Sequence, residues 1–184
     1  MSEEDLIKGC INGERIHFNE LYENYSSPLY SICLRYADDD DEAKDILQEA
    51  FVKIFKKLDT YQPSKGKFEV WLKSIVRNLC IDVCRKKKFD FRIPVDQIAE
   101  EVIDDDDEFM NSLNELSFED LTGCISELPV GYRMVFNLFV IDEKTHKEIA
   151  HEMNISESTS KTQLMKAKSL LQKKLRNKVF AFTK

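Results

Sequence analysis

Two stretches of this 184-residue chain carry side chains suited to recognition chemistry. The first is Thr145–Lys174, T-H-K-E-I-A-H-E-M-N-I-S-E-S-T-S-K-T-Q-L-M-K-A-K-S-L-L-Q-K-K. Its second half sets Ser158, Lys161, Thr162, Gln163, Lys166 and Lys168 at the polar positions of a helical period. Hydroxyls and helix N-terminal amides hold phosphates, Gln suits adenine, and Lys suits guanine or phosphate. The second stretch mixes cations with rings: Tyr61, Lys65, Lys67, Phe68, Trp71, Lys73, Arg77, Arg85 and Lys86. Cations that follow phosphates, beside rings and a loop that can take an extruded base, suit single-stranded DNA. Asn78 can pair bidentately with a base edge. A plainer reading stands beside each stretch. The lysines would then be solvated, and Phe68 and Trp71 would belong to the core.

Bond-making chemistry finds no support. The chain has no phosphate-binding Gly-rich loop, no paired metal-ligand spacing and no nucleophile motif. His17, His146 and His151 are isolated. His146 and His151 stand five apart, off the i, i+4 spacing that shares a metal, and both read as surface residues. Cys10, Cys33, Cys80, Cys84 and Cys124 include no Cys-x-x-Cys pair and read as buried, reduced, cytosolic thiols. The expectation is a protein that is no enzyme and holds no cofactor or metal.

Helices must position the two recognition stretches. Thr145 and Glu148 form a capping box that starts one helix, with Ile149, Ala150 and Met153 as its apolar stripe. Asn154 can take the left-handed conformation that ends it. Ile155 fills the angle, Ser156 caps the next helix, and Leu164, Ala167, Leu170 and Leu171 recur along it. A short helix, a tight turn and a basic second helix is how many proteins enter the DNA major groove. Upstream, the periodicity predicts helices over Asp5–Asn12, Phe18–Tyr36, Glu42–Leu58, Phe68–Lys87, Leu113–Glu127 and Pro129–Val140. Pro28 should bend or break the second of these. Tyr61–Lys67 reads as a loop, marked by Pro63 and Gly66. Few residues break helices, and strands of alternating polarity are hard to find, so the expected class is all-α.

The net charge of −7 looks wrong for a nucleic-acid binder until it is divided along the chain. Residues 1–88 carry −1, residues 89–112 carry −8 and residues 113–184 carry +2. The middle segment has a proline, the acidic run Asp104–Glu108 and no amphipathic period, so it reads as an acidic linker between two small helical domains. Lys65–Lys88 holds eight cations against two anions, and Lys161–Lys184 holds eight and none. Phosphate attraction follows such local clusters. No apolar run is long enough to span a membrane. The acidic start M-S-E-E-D-L lacks the secretory pattern, and a cytoplasmic protein is expected.

In this order, the parts resemble bacterial RNA polymerase sigma factors of the extracytoplasmic-function group. F-x-x-L-Y-x-x-Y at Phe18–Tyr25 is similar to that family's opening helix, and E-A-K-D-I-L-Q-E-A-F at Glu42–Phe51 to its polymerase-binding helix. F-x-x-W-L at Phe68–Leu72, with Arg77-Asn78 and Ile81-Asp82, is similar to its promoter-melting helix. L-P at Leu128–Pro129, H-K-E-I-A at His146–Ala150 and I-S-E-S-T at Ile155–Thr159 resemble its C-terminal helix-turn-helix domain. Lys161-Thr162-Gln163 and Lys166 stand where arginines are frequent, which touches base preference and leaves the fold alone.

The resemblance implies a sigma-2-type bundle over 1–88 and a sigma-4-type helix-turn-helix domain over 113–184. It implies that Asp45, Gln48, Glu49 and Phe51 dock on core RNA polymerase. Tyr61, Lys65, Lys67, Phe68, Trp71, Lys73, Asn78, Arg85 and Lys86 would bind the −10 element of promoter DNA. Ser158, Thr159, Lys161, Thr162, Gln163, Met165 and Lys166 would bind the −35 element. An anti-sigma factor is the implied regulatory partner. For the acidic linker two readings stand equal: a mimic of nucleic acid inside polymerase channels, or a soluble spacer. A stand-alone helix-turn-helix regulator and a helical adaptor that binds no DNA are the competing functions.

Overall fold

The computed structural model describes residues 1–86 and 117–182, and all secondary structure there is helical. The chain divides into two compact units, Met1–Val83 and Cys84–Lys184. The linker expected over 89–112 lies outside the described residues, as do Lys87, Lys88 and residues 113–116.

The first unit is built on α1 (Glu3–Ile11), α2 (Arg15–Tyr36), α3 (Asp40–Lys57) and most of α4 (Phe68–Lys86). Local chemistry sets the starts of α1 and α3. The Ser2 hydroxyl accepts the Asp5 amide at 3.1 Å, and the Asp39 carboxylate accepts the Glu42 amide at 2.8 Å. Asp40, Asp41 and Glu42 then place negative charge at the positive end of the α3 dipole. The α2 helix passes unbroken through Pro28, which sits on an exposed face where water can take the hydrogen bond its ring removes. Leu21, Leu29 and Cys33 of α2 are buried, as are Ala43, Ile46, Ala50 and Ile54 of α3 and Phe68, Leu72, Val76 and Leu79 of α4. Each large apolar side chain so buried contributes about 1.5–3 kcal/mol.

The second unit holds α5 (Phe118–Ser126), α6 (Val130–Phe136), α7 (His146–Met153) and α8 (Glu157–Phe182). The α8 helix is the axis on which α5, α6 and α7 pack. Pro129 precedes α6, which widens into a π-type turn over Asn137–Ile141. Every residue from Val130 to Leu138 is buried, including Arg133. Arg133 donates from Nη1 to the Ser126 carbonyl at 2.7 Å and so satisfies one of the open acceptors at the end of α5. All five cysteines are buried and free of disulfides, as their spacing suggested. No described helix is long and apolar enough to cross a membrane.

The hairpin between α1 and α2 depends on Gly9. A Cβ there would stand 2.2 Å from the His17 ring. Gly9→Ala should therefore push α1 and α2 apart and cost about 1–3 kcal/mol. Urea unfolding followed by the fluorescence of Trp71, the single tryptophan, would register that loss.

Candidate nucleic-acid interface

The helix-turn-helix is assembled by hydrogen bonds between near neighbours. The Thr145 amide donates to the Glu148 carboxylate at 2.9 Å, and the Glu148 amide returns a bond to the Thr145 hydroxyl at 3.3 Å. This is the expected capping box, and its bonds lower the Glu148 pKa. Asn154 ends α7 in the left-handed conformation, at φ 55° and ψ 47°. The Ser156 hydroxyl accepts the Thr159 amide at 3.0 Å and opens α8. Its oxygen also lies 2.8 Å from the hydroxyls of Ser158 and Thr159. Three hydroxyls thus gather at the positive end of a long helix, an arrangement suited to a phosphate.

Leu164, Ala167 and Leu171 turn inward from α8, and the fully buried Ser160 continues their row toward the helix start. Ser158, Lys161 and Met165 face outward at spacings of three and four, and Met165 is 44% exposed. The Thr162 hydroxyl donates to the Ser158 carbonyl at 3.0 Å, so the hydroxyl is engaged within the helix. Two expected readers are not on the open face. Gln163 and Lys166 are only 5% and 6% exposed. Gln163 borders the apolar row, Lys166 lies beside it one turn on, and long stems of this kind cover apolar surface. Lys174, one of the eight cations of Lys161–Lys184, is paired with Glu127 at the end of α5.

His146 corrects another expectation. It is half-buried, its ring stacks on Phe139 with centroids 4.5 Å apart, and its Nδ1 lies 2.9 Å from the Ser160 hydroxyl oxygen. Burial first, and then the Lys161 ammonium, push its pKa below the ordinary 6.5; Lys168 adds to this and Glu157 opposes it.

In the first unit, the Tyr61–Lys67 loop is anchored by its own aromatic residue. The Tyr61 hydroxyl donates to the Gly66 carbonyl at 3.0 Å and closes the loop on itself. The Tyr61 ring lies 5.0 Å from Phe68 and 5.5 Å from Trp71, while Phe68 and Trp71 stack at 5.7 Å. Tyr25 meets Phe68 edge-on from α2. Gly66 has φ 145°, a backbone state that side chains other than glycine rarely adopt. Phe68 is therefore a core residue, Tyr61 and Trp71 are half-buried, and the loop tip from Gln62 to Lys67 is exposed. Gln62 and Ser64, between Tyr61 and Gly66, share this exposed tip.

Along α4, Trp71, Asn78 and Arg85 recur every seven residues and share one face. Asn78 is exposed but lies ten residues from Phe68, about 15 Å by helical rise, so it is not beside the loop. Lys73 stands roughly 160° around the helix from Trp71, across the axis from Trp71 and Asn78, and pairs with Glu69 at 2.6 Å. Arg85 and Lys86 are exposed.

On α3, Asp45, Gln48 and Glu49 are exposed together, with Glu49 joined to Lys53 at 3.2 Å. Phe51 belongs to the core: it is buried and packs 4.7 Å from Tyr22 and 5.8 Å from Phe55. The apolar neighbour of the polar trio is instead Val52, 51% exposed and one helical repeat from Asp45. Spacing from Asp45 could have found it.

Comparison with known proteins now gives these surfaces a class. The Sigma-70 region 2 family model matches residues 21–89, and the Sigma-70, region 4 model matches residues 118–171. A chain that joins these two regions is of the sigma-70 type. Over 158 residues it is 34% identical to the ECF RNA polymerase sigma factor SigM of Bacillus subtilis (strain 168), covering 83% of this chain and 91% of that one. It is 30% identical over 187 residues to SigW of the same organism, covering 93% and 95%. The chain belongs to the ECF RNA polymerase sigma factor family. Among solved structures, a sigma factor RpoE bound to the anti-sigma factor NepR from Bartonella quintana aligns with 19% identity and a TM-score of 0.44, covering 86% of this chain and 96% of that one.

Two measurements probe the interface. Because the folded-state pKa of His146 is lowered, its stabilising contribution is complete above about pH 6.5 and is lost as pH falls through the folded value. Once the slower intrinsic exchange at lower pH is divided out, the protection of amides in α7 and α8 of the intact chain should fall on acidification, and His146→Phe should flatten that part of the response. In the loop, Tyr61→Phe keeps the ring contacts but removes the bond to Gly66. Tryptic cleavage at Lys65 and Lys67 should rise about fivefold, the equivalent of one lost hydrogen bond.

Proposed function

We propose that this chain is an alternative sigma factor that binds core RNA polymerase and directs promoter-specific initiation of transcription. The observation that carries the reading is the pairing, in one chain of this family, of an open loop rimmed by cations with a capped helix-turn-helix. The loop tip, from Gln62 to Lys67, would take an extruded base of the −10 element. Trp71, Asn78 and Arg85 would follow the strand along α4, with Lys86 on the adjacent backbone. Favourable binding of the unpaired strand would offset an unpairing cost of about a few kcal/mol per base, with no nucleotide hydrolysis. Tyr61 and Phe68 would shape this site from beneath. Lys73, tied to Glu69 across the helix, would stand away from this face.

The α8 face would enter the major groove at the −35 element. Lys161 and Met165 would meet base edges, Thr162 would offer its methyl group, and Ser158 and Thr159 would hold a phosphate. Asp45, Gln48 and Glu49 would dock on basic groups of the polymerase, with Val52 excluding water at their edge. An anti-sigma factor that covers these surfaces is the proposed restraint. The chemistry of initiation belongs to the polymerase in this scheme, and the chain itself works in the cytoplasm.

Reconstitution tests the reading directly. The chain should join core polymerase and yield transcripts whose start sites share upstream −35 and −10 elements. Reversing the charge of Asp45 and Glu49 together should weaken polymerase binding at least tenfold, with helical content unchanged. Polymerase that starts at the same sites with and without the chain would defeat the proposal. Footprinting of duplex DNA by the chain alone would favour a stand-alone regulator instead.

A further inference from the structure

The inward row of α8 contains a polar interruption. Ser160, Leu164, Ala167 and Leu171 share one buried face, yet the member nearest the base-reading end is a serine with no exposure at all. A buried hydroxyl needs a partner. Ser160 has one across the helix-turn-helix: its oxygen lies 2.9 Å from Nδ1 of His146, the first residue of α7. The other side of the contact is closed by Phe139, whose ring stacks on the imidazole at an interplanar angle of 24°. Three elements therefore meet at one side chain: the π-type turn that follows α6, the start of α7 and the start of α8.

An apolar residue at 160 would also fill the space, but it could slide. A hydrogen bond has a direction, and it fixes both the rotation and the axial position of the helix end that carries it. That end is where Ser158, Lys161 and Thr162 stand, within two residues of Ser160. Farther along, apolar packing at Leu164, Ala167 and Leu171 takes over. A helix rotated by a few degrees at its start would shift the tip of Lys161 relative to a base edge, and bidentate or methyl contacts tolerate little displacement.

Resting on the −35 reading above, we propose that His146 and Ser160 form a clasp that sets the orientation of the recognition helix and so governs −35 discrimination. His146 is a positioning residue here and touches no DNA. The neutral ring serves equally well as donor or acceptor, because the hydroxyl rotates to match.

Transcription by the full chain with core polymerase tests the clasp on two promoters that differ only in an intact or a scrambled −35 element. His146→Phe retains the ring stack and loses the hydrogen bond; Ser160→Ala loses the hydroxyl alone. Each should lower output from the intact promoter about fivefold and leave the scrambled promoter unchanged. The double variant should be no worse than either single variant, since both remove one shared contact. His146→Asn, which can place an amide near the position of Nδ1, should restore part of the discrimination without restoring the ring. Equal losses on both promoters, additive losses in the double variant, or no loss in any variant would each overturn the clasp while leaving the sigma reading intact. A wild-type holoenzyme indifferent to the −35 element would overturn the clasp together with the reading on which it rests.

Discussion

A recognition helix is useful only if its first turn is held still while its side chains stay open to solvent. That constraint organises the second unit. The first turn of any helix has unpaired amides, and in α8 the Ser156 hydroxyl satisfies one of them at 3.0 Å. The preceding helix must stop abruptly for Ser156 to be in place. Asn154 provides the stop by taking a positive φ that few residues accept. The capping box at Thr145 secures the other end of α7, so both ends of this eight-residue helix are locked by neighbours three or four positions away. Such a helix is too short to be stable by propensity. Its caps and its packing on α8 hold it.

Interactions of that short range are legible in a sequence. Thr145 with Glu148, Asn154 and Ser156 each announce their roles through type and spacing and are found in them, and of the row Leu164, Ala167, Leu170 and Leu171 all but the half-buried Leu170 are buried. The helices of the first unit were legible for the same reason. Element ends moved by a few residues where caps decided them: α3 begins at Asp40, two residues before the expected Glu42, because Asp39 caps it.

Contacts between distant residues were not legible. Periodicity put Gln163 and Lys166 on the polar side of α8, but both are buried. Phe51 belonged by type to an interface and by position to the core, and its contact with Tyr22 decides between them. His146 looked like a surface histidine because nothing near it in sequence is a partner; its partners are Phe139 and Ser160. Tyr61 carried the right chemistry for stacking on a base, yet its hydroxyl holds Gly66 and its ring rests on Phe68 and Trp71. For Gln163, Lys166, Phe51 and Tyr61 residue type had suggested contact with a partner, and for His146 plain exposure; in all five the side chain packs within the fold.

This division between readers and supports bears on how an acidic protein can recognise a polyanion. Repulsion from a net charge of −7 is spread over the chain and screened beyond about 8–10 Å at ordinary ionic strength. Attraction would act at contact, through exposed cations such as Lys65 and Lys67 on the loop, Lys86 on α4 and Lys161 on α8. Several other lysines are spent locally, as Lys44, Lys53, Lys73 and Lys174 are on neighbouring carboxylates. Each surface alone offers only a handful of phosphate contacts, and so modest affinity. Affinity for a whole promoter must then come from using both surfaces together. A tether that keeps them on one molecule raises the effective concentration of the second contact once the first has formed. Polymerase would add to this by fixing the spacing at which both can engage. On the proposed reading, weakness of the separate surfaces would become selectivity: DNA with one element alone would not compete with DNA that carries both at the right separation.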